Sequence, residues 1–227
     1  EYGNLLLEKE VSNKLVLGIN KSAGRFSMSF DPYINWINNY IVIQPTGIEL
    51  TIRGAFPVWN YEATDVLMWG WDANFEATPF ANSQYKLSAA YTYAQDLTSQ
   101  TPLISIPPFS LTQQLSYRFP ESAFEFELSH RYTASQTRFP NTNFFSNQIV
   151  SGNIIQREID ISTPPPAFHI FDLMLSWPIL QQTKLNTSLR LMIQNMANIT
   201  YYDYLNRLRF YSPELGRNVQ LQLLFRY

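Results

Sequence analysis

Two histidines, a few strand-borne carboxylates and one dense cluster of tyrosines and arginines are the chemistry-bearing residues of this 227-residue chain. His130 and His169 are its only imidazoles. Nucleophilic catalysis needs an imidazole within hydrogen-bond reach of a hydroxyl or thiol. Ser129 adjoins His130, but neighbouring residues of a strand point to opposite faces. Asp72 with Glu76, and Glu125 with Glu127, form same-face acidic pairs of the kind a glycosidase uses at fixed separation. Charges solvated on an inner wall account for them better. The chain has no cysteine, which excludes a disulfide scaffold, a thiolate metal site and a cysteine nucleophile. No Gly-rich phosphate loop and no zinc-type spacing occurs. No catalytic residue, metal-ligand set or cofactor is therefore assigned. The remaining cluster is Tyr201, Tyr202, Tyr204, Arg207, Arg209 and Tyr211. Arginine offers a rigid fork of donors for carboxylate or phosphate, and tyrosine a ring with a hydroxyl. Such a cluster could capture an anionic chelate, with Arg138 and Arg157 of another long connection as further candidates.

The elements that must position these residues show in a period of two. Val219, Leu221, Leu223 and Phe225 alternate with Gln220, Gln222, Leu224 and Arg226. The same pattern runs through Leu185–Gln194, Phe171–Trp177, Phe124–Tyr132, Leu111–Phe119, Tyr85–Tyr93, Leu67–Glu76, Arg25–Trp36 and Leu15–Ile19. Alternation of this kind marks strands whose two faces meet different surroundings. The spacing predicts nine strands, at 11–20, 25–42, 58–77, 84–95, 109–119, 123–134, 167–177, 183–195 and 216–227. Both histidines fall on the apolar parity. All nine strands read alike, and no second set is available to cover the apolar face, as a soluble β-sandwich would require.

Composition agrees. Charged residues make up only 15% of the chain and aromatics another 15%, from 16 Phe, 14 Tyr and 5 Trp. So low a charge fits a surface that does not wholly face water. Mean hydropathy is −0.18 and no run of about eighteen apolar residues occurs, so no membrane helix is expected. Transmembrane β-strands escape that test because half their residues are polar. The net charge of −2 offers no basic field for nucleic acid.

The connections segregate by length. Short turns are expected at 21–24, 79–83, 119–122 and 178–182, and long loops near 43–57, 96–108, 135–165 and 196–215. Short connections on one side and long ones on the other characterise an outer-membrane barrel. Placing the C-terminus on the periplasmic side puts every short turn there and every long loop outside. Tyr117, Phe119, Trp177 and Tyr227 sit near strand ends, where aromatic rings favour the membrane interface. Nine is an odd number for a bacterial barrel. It points to an incomplete barrel, spanning 1–227, rather than a closed ten-stranded one.

Several motifs resemble TonB-dependent outer-membrane receptors. They include Gln194-Asn195-Met196-Ala197-Asn198-Ile199-Thr200-Tyr201-Tyr202-Asp203-Tyr204-Leu205-Asn206-Arg207, and Gly216-Arg217-Asn218-Val219 leading into the last strand. Glu10 to Gly18, with Val16 where an acidic residue is usual, is similar to another strand of that family. So are Phe56-Pro57-Val58-Trp59-Asn60-Tyr61 through Gly70, and Ile106 to Phe109. The resemblance implies all-β architecture: about nine C-terminal strands of a 22-stranded antiparallel transmembrane barrel, with the plug domain absent from this chain. It implies residence in the bacterial outer membrane and part of an active uptake system for an iron-siderophore or other metal chelate. Its partners would be the plug and remaining strands, the TonB complex through that plug, outer-membrane lipid, and the barrel-assembly machinery. Phe225 and Tyr227 of the terminal strand would serve that machinery as an assembly signal. The alternatives are a passive porin or structural barrel and, more remotely, an outer-membrane phospholipase that uses a lipid-side histidine.

Overall fold

A computed structural model describes residues 4–52, 54–182 and 185–226. Twelve strands are present among them: β1 Val11–Val16, β2 Ile19–Ala23, β3 Phe26–Thr51, β4 Gly54–Ala77, β5 Ser83–Asp96, β6 Ser110–Arg118, β7 Glu125–Thr133, β8 Phe144–Val150, β9 Asn153–Ile159, β10 Phe168–Gln182, β11 Leu185–Gln194 and β12 Asn218–Arg226. No helix of the structure is long and apolar enough to cross a membrane. One antiparallel sheet runs β1-β3-β4-β5-β6-β7-β10-β11-β12, with β2 also on β3. β8 and β9 form a separate hairpin.

The nine expected strands are all there. β1 and β2 are one strand in two pieces, because Val16 pairs with Tyr33 and Ile19 with Phe30 in unbroken register. The break falls opposite Pro32, whose nitrogen has no hydrogen to give the ladder. Leu17 still donates to the Pro32 carbonyl at 3.0 Å.

The alternation sorts the two faces as expected. Leu128, Leu173, Ile193 and Val219 line up as direct neighbours across β7, β10, β11 and β12. Leu221 and Leu223 are 68% and 51% exposed, so no second sheet covers them among the described residues. In water such a face would be a liability, and in a bilayer it is the required one. Aromatic rings border it in two belts. The lower one runs Phe80–Tyr117–Phe119–Phe124–Trp177 with centroids 4.6 to 5.6 Å apart. The upper one runs Phe30–Trp71–Phe109–Tyr132–His169 at 4.6 to 6.3 Å. Tyr227 lies outside the described residues.

On the inner face Gly70 leaves a notch. A Cβ there would collide with the Tyr91 carbonyl and lie 2.7 Å from the Tyr33 hydroxyl. Tyr33 crosses this notch to reach Thr92 Oγ1 at 3.0 Å. At the outer end of the same face, Leu103 and Ile106 fold back onto Ile37, Val66 and Ala94 as a small buried core.

Three connections differ from expectation. The segment 43–57 is not an irregular loop, because β3 and β4 stay paired out to Thr51 and Gly54. Its Pro45 and Gly47 mark a register shift instead of a turn. The segment 135–165 contains the β8–β9 hairpin. The turn expected at 178–182 is strand, with β10 continuing past a shift at Pro178 and Leu180 to Gln182.

Candidate functional site

The last long connection, 195–217, is fixed at its neck by asparagines. Asn195 has a positive φ of 48° and is 3% exposed. Its backbone N–H donates to Asp172 Oδ1 at 2.8 Å. Its side-chain amide donates to the Ile199 and Leu215 carbonyls and accepts from the Ile199 N–H. One side chain thus ties both arms of the loop to the barrel rim. Asn198, also left-handed, accepts from the Arg217 N–H at 2.9 Å. Tyr201 O and the Glu214 N–H close the next rung, and Asn206 donates to Glu214 Oε1. Asparagine suits these roles because it tolerates the left-handed region and carries both donor and acceptor.

So braced, the loop presents Tyr204, Arg207, Arg209, Phe210 and Tyr211 to a cavity of about 400 Å³. The opposing wall comes from Pro57 and Trp59 of β4, Ile104 and Ser105, Pro140, and Ile159 to Ser162. Tyr204 is 4% exposed. Burial raises its phenol above the usual value, while Arg209 and a hydrogen bond with the Ser105 backbone pull it down. Arg209 donates to the Tyr204 carbonyl at 2.8 Å and lies over the Tyr204 and Phe210 rings at 4.9 and 4.3 Å. Burial lowers its guanidinium from the ordinary value, and Tyr204, Asp160 and Asp203 push it back up. Its Nε is buried with no hydrogen-bond acceptor. Arg207 lies over the Trp59 ring at 5.5 Å. Two guanidinium groups against one lining carboxylate, Asp160, make the cavity suitable for an anionic group.

Of the residues singled out from the sequence, Tyr204, Arg207, Arg209 and Tyr211 meet here. Tyr201 does not line the cavity; its hydroxyl accepts from Arg131 at 3.3 Å and its ring packs on Phe168. Tyr202 is half-buried and also outside it. Arg157 stands on the exposed β9, and Arg138 lies 3.5 Å above the Tyr93 ring. Neither reaches the cavity lining. Trp59, Ser105 and Asp160 complete the lining, and of these three only Trp59 lies in a motif noted above. His130 has Gln113 and His169 as polar partners, and no hydroxyl nucleophile among the described residues. No group of three or more metal-ligating side chains occurs among the described residues.

Fold and site together define a segment of a bacterial outer-membrane barrel with a ligand-sized cavity at its outer mouth. The profile of the TonB dependent receptor-like β-barrel family matches residues 1–196, and the chain belongs to that family. Among solved structures, the Copper transporter OprC is similar over 96% of this chain and 31% of its own, at 16% identity and a TM-score of 0.74. The FrpB iron transporter from Neisseria meningitidis (F5-1 variant) gives 17% identity, 96% and 32% coverage, and a TM-score of 0.68. The ferripyoverdine receptor of the outer membrane of Pseudomonas aeruginosa gives 18%, 95% and 27%, and 0.64. The chain therefore spans about a third of the length of these structures. No curated protein sequence matches it.

Proposed function

We propose that this chain forms nine strands and part of the outer mouth of a receptor that actively imports an anionic metal chelate, such as an iron-siderophore. The remaining strands would complete a 22-stranded barrel. A plug would fill its lumen and pass on energy from the TonB complex. The mouth cavity carries this reading, because it pairs Arg207 and Arg209 with the rings of Trp59, Tyr204 and Phe210. Flat aromatic walls hold a chelate's organic rings, and guanidinium groups hold its residual negative charge. Charged groups on the inner wall suit a polar plug: Arg118 pairs with Glu125 at 3.5 Å, and Arg190 has a buried Nε with no acceptor. The similarity of fold to copper, iron and ferripyoverdine proteins supports a metal-bearing substrate.

The test is equilibrium binding of a panel of ferric and cupric chelates to the complete receptor in detergent. An anionic chelate should bind in the micromolar range or tighter. Arg209→Gln should weaken it roughly ten- to a hundredfold, as expected for losing a charge-assisted hydrogen bond. No chelate binding, together with a steady ohmic conductance in planar bilayers, would overturn the reading in favour of a passive pore.

A further inference from the structure

The mouth cavity holds two opposite charges that do not neutralise each other. Arg209 spends one side-chain donor, Nη1, on the Tyr204 carbonyl at 2.8 Å. No other acceptor among the described residues takes a hydrogen bond from its guanidinium. Asp160 belongs to the opposing wall, directly after β9. Its Oδ1 accepts from the Ser162 and Thr163 N–H groups at 3.2 and 2.9 Å. Its Oδ2 has no donor among the described residues. Asp160 acts on Arg209 through its charge. Yet the two form no ion pair: the one ion pair among the described residues is that of Arg118 with Glu125.

Each charge is fixed from behind. Arg209 is held by the Tyr204 carbonyl and by the Tyr204 and Phe210 rings, which it overlies at 4.9 and 4.3 Å. Asp160 is held by its own bonds to the following turn, and that turn by Asn143. Asn143 Oδ1 accepts from the Ile161 and Ser162 N–H groups at 3.0 and 3.1 Å and from the Ser162 hydroxyl at 2.6 Å. Ser162 is itself buried. Two groups kept apart in this way retain a free donor edge and a free acceptor for a third body, with little ordering left to do when it arrives. Trp59, Ile104, Ile161 and Phe210 add apolar lining, against which an alkyl stem can lie.

A ligand that carries only negative charge answers half of this site. It satisfies Arg209, but it takes water away from Asp160 and repels it. A carboxylate enclosed without a partner is costly. A ligand with an ammonium group beside its negative group answers both walls, and a bond from an ammonium to a carboxylate is stronger than one from a neutral donor.

We propose that the imported chelate presents to this cavity an arm bearing a primary ammonium beside a negative group, with Arg209 taking the anion and Asp160 Oδ2 accepting from the ammonium. The proposal rests on the uptake reading and narrows it. Asp160 is the residue that selects amine-bearing chelates from purely anionic ones.

The test is equilibrium binding to the complete receptor in detergent at neutral pH. The probes are ferric complexes of lysine and of ornithine whose α-amines carry a dihydroxybenzoyl (catechol) group, each with its side-chain amine free or acetylated. The two stems differ in length, so the outcome does not hang on one spacing. Acetylation keeps an N–H, removes the positive charge and makes the complex more anionic. The free-amine member of at least one pair should bind about tenfold tighter than its acetylated counterpart, the scale of one charge-assisted hydrogen bond. In Asp160→Asn, whose amide oxygen still accepts from Ser162 and Thr163, that ratio should fall to within about twofold. Heat-dependent gel mobility should stay that of a folded barrel. Equal binding of free and acetylated probes by the wild type would overturn the proposal and leave the uptake reading standing, and it needs no variant. A ratio unchanged in Asp160→Asn would also overturn it, by placing the ammonium elsewhere. So would an Asp160→Asn receptor that gains affinity for all four probes, since Asp160 would then only repel. Failure of these probes and of every other anionic chelate to bind would bring down the uptake reading itself.

Discussion

The two longest connections on the outer side are built in opposite ways. The last one, 195–217, has almost no regular structure, yet it is anchored by Asn195, Asn198 and a buried Tyr204. The other contains the β8–β9 hairpin, whose backbone is fully laddered from Phe144↔Ile159 to Val150↔Asn153. That hairpin exposes Phe145, Ile149 and Ile154 at 60%, 78% and 75% and pairs with no other strand among the described residues. Regular hydrogen bonding within a segment thus says little about its attachment to the rest of the molecule. What fixes a loop is the number of its polar groups and side chains that end on another element. Only the base of the hairpin, Ile159 to Ser162, takes part in the cavity, where Asn143 accepts from the Ile161 and Ser162 N–H groups.

The contrast breaks most readily at Asn195. Asn195→Ala removes three side-chain hydrogen bonds at a buried neck. At about 1 kcal/mol each, with a further cost for carbonyls left unpaired, the loss is roughly 3–5 kcal/mol. The loop should then become open to protease between 205 and 211, and chelate binding to the complete receptor should vanish while the barrel stays folded. Resistance to proteolysis equal to wild type would show that the neck is held elsewhere.

A smaller effect separates two arginines. Arg157→Gln on the hairpin should change chelate affinity by less than about twofold, since an exposed charge off the site contributes little. The same change at Arg209 is expected to be felt strongly, so isothermal titration of the two variants side by side sharpens the comparison. Equal losses would bring the hairpin over the cavity.

The smallest effect belongs to the hairpin tip. Replacing Ile149 and Ile154 by Ser should shift thermal stability by no more than about 0.5 kcal/mol, because the two side chains are already in solvent. A clear destabilisation in calorimetry would mean that the tip packs on something in the complete receptor.

Much of the fold was legible because a sheet with two different surroundings writes them into every second residue. The parity of Leu221, Leu223, Trp177 and Phe126 needed no tertiary knowledge. The segment 43–57 misled because Pro45 and Gly47 carry the chemistry of a turn, and the strand uses them for a register shift. At the site, Tyr204 and Arg209 were readable from local density of type. Trp59, Ser105 and Asp160 were not, since nothing local joins three separate connections. Arg138 shows the same limit: its sequence position says that it is in a loop and not that its guanidinium rests on the Tyr93 ring. Asn195 and Asn198 lay in a recognised motif, but their work as the loop's fastening shows only in the hydrogen bonds.

The two aromatic belts also set a length. Phe124 in the lower belt, just before β7, and Tyr132 in the upper belt, near the end of β7, are eight residues apart. At about 3.4 Å per residue and a tilt near 40°, that is a vertical span of roughly 20 Å. The hydrocarbon of an average bilayer is about 30 Å thick. A membrane of that thickness would have to pinch inward around this wall, at a cost that grows with each ångström of misfit. The rings therefore act as a gauge. They make the protein most at home where the bilayer is thin, and they oblige thicker surroundings to deform before they can accept it.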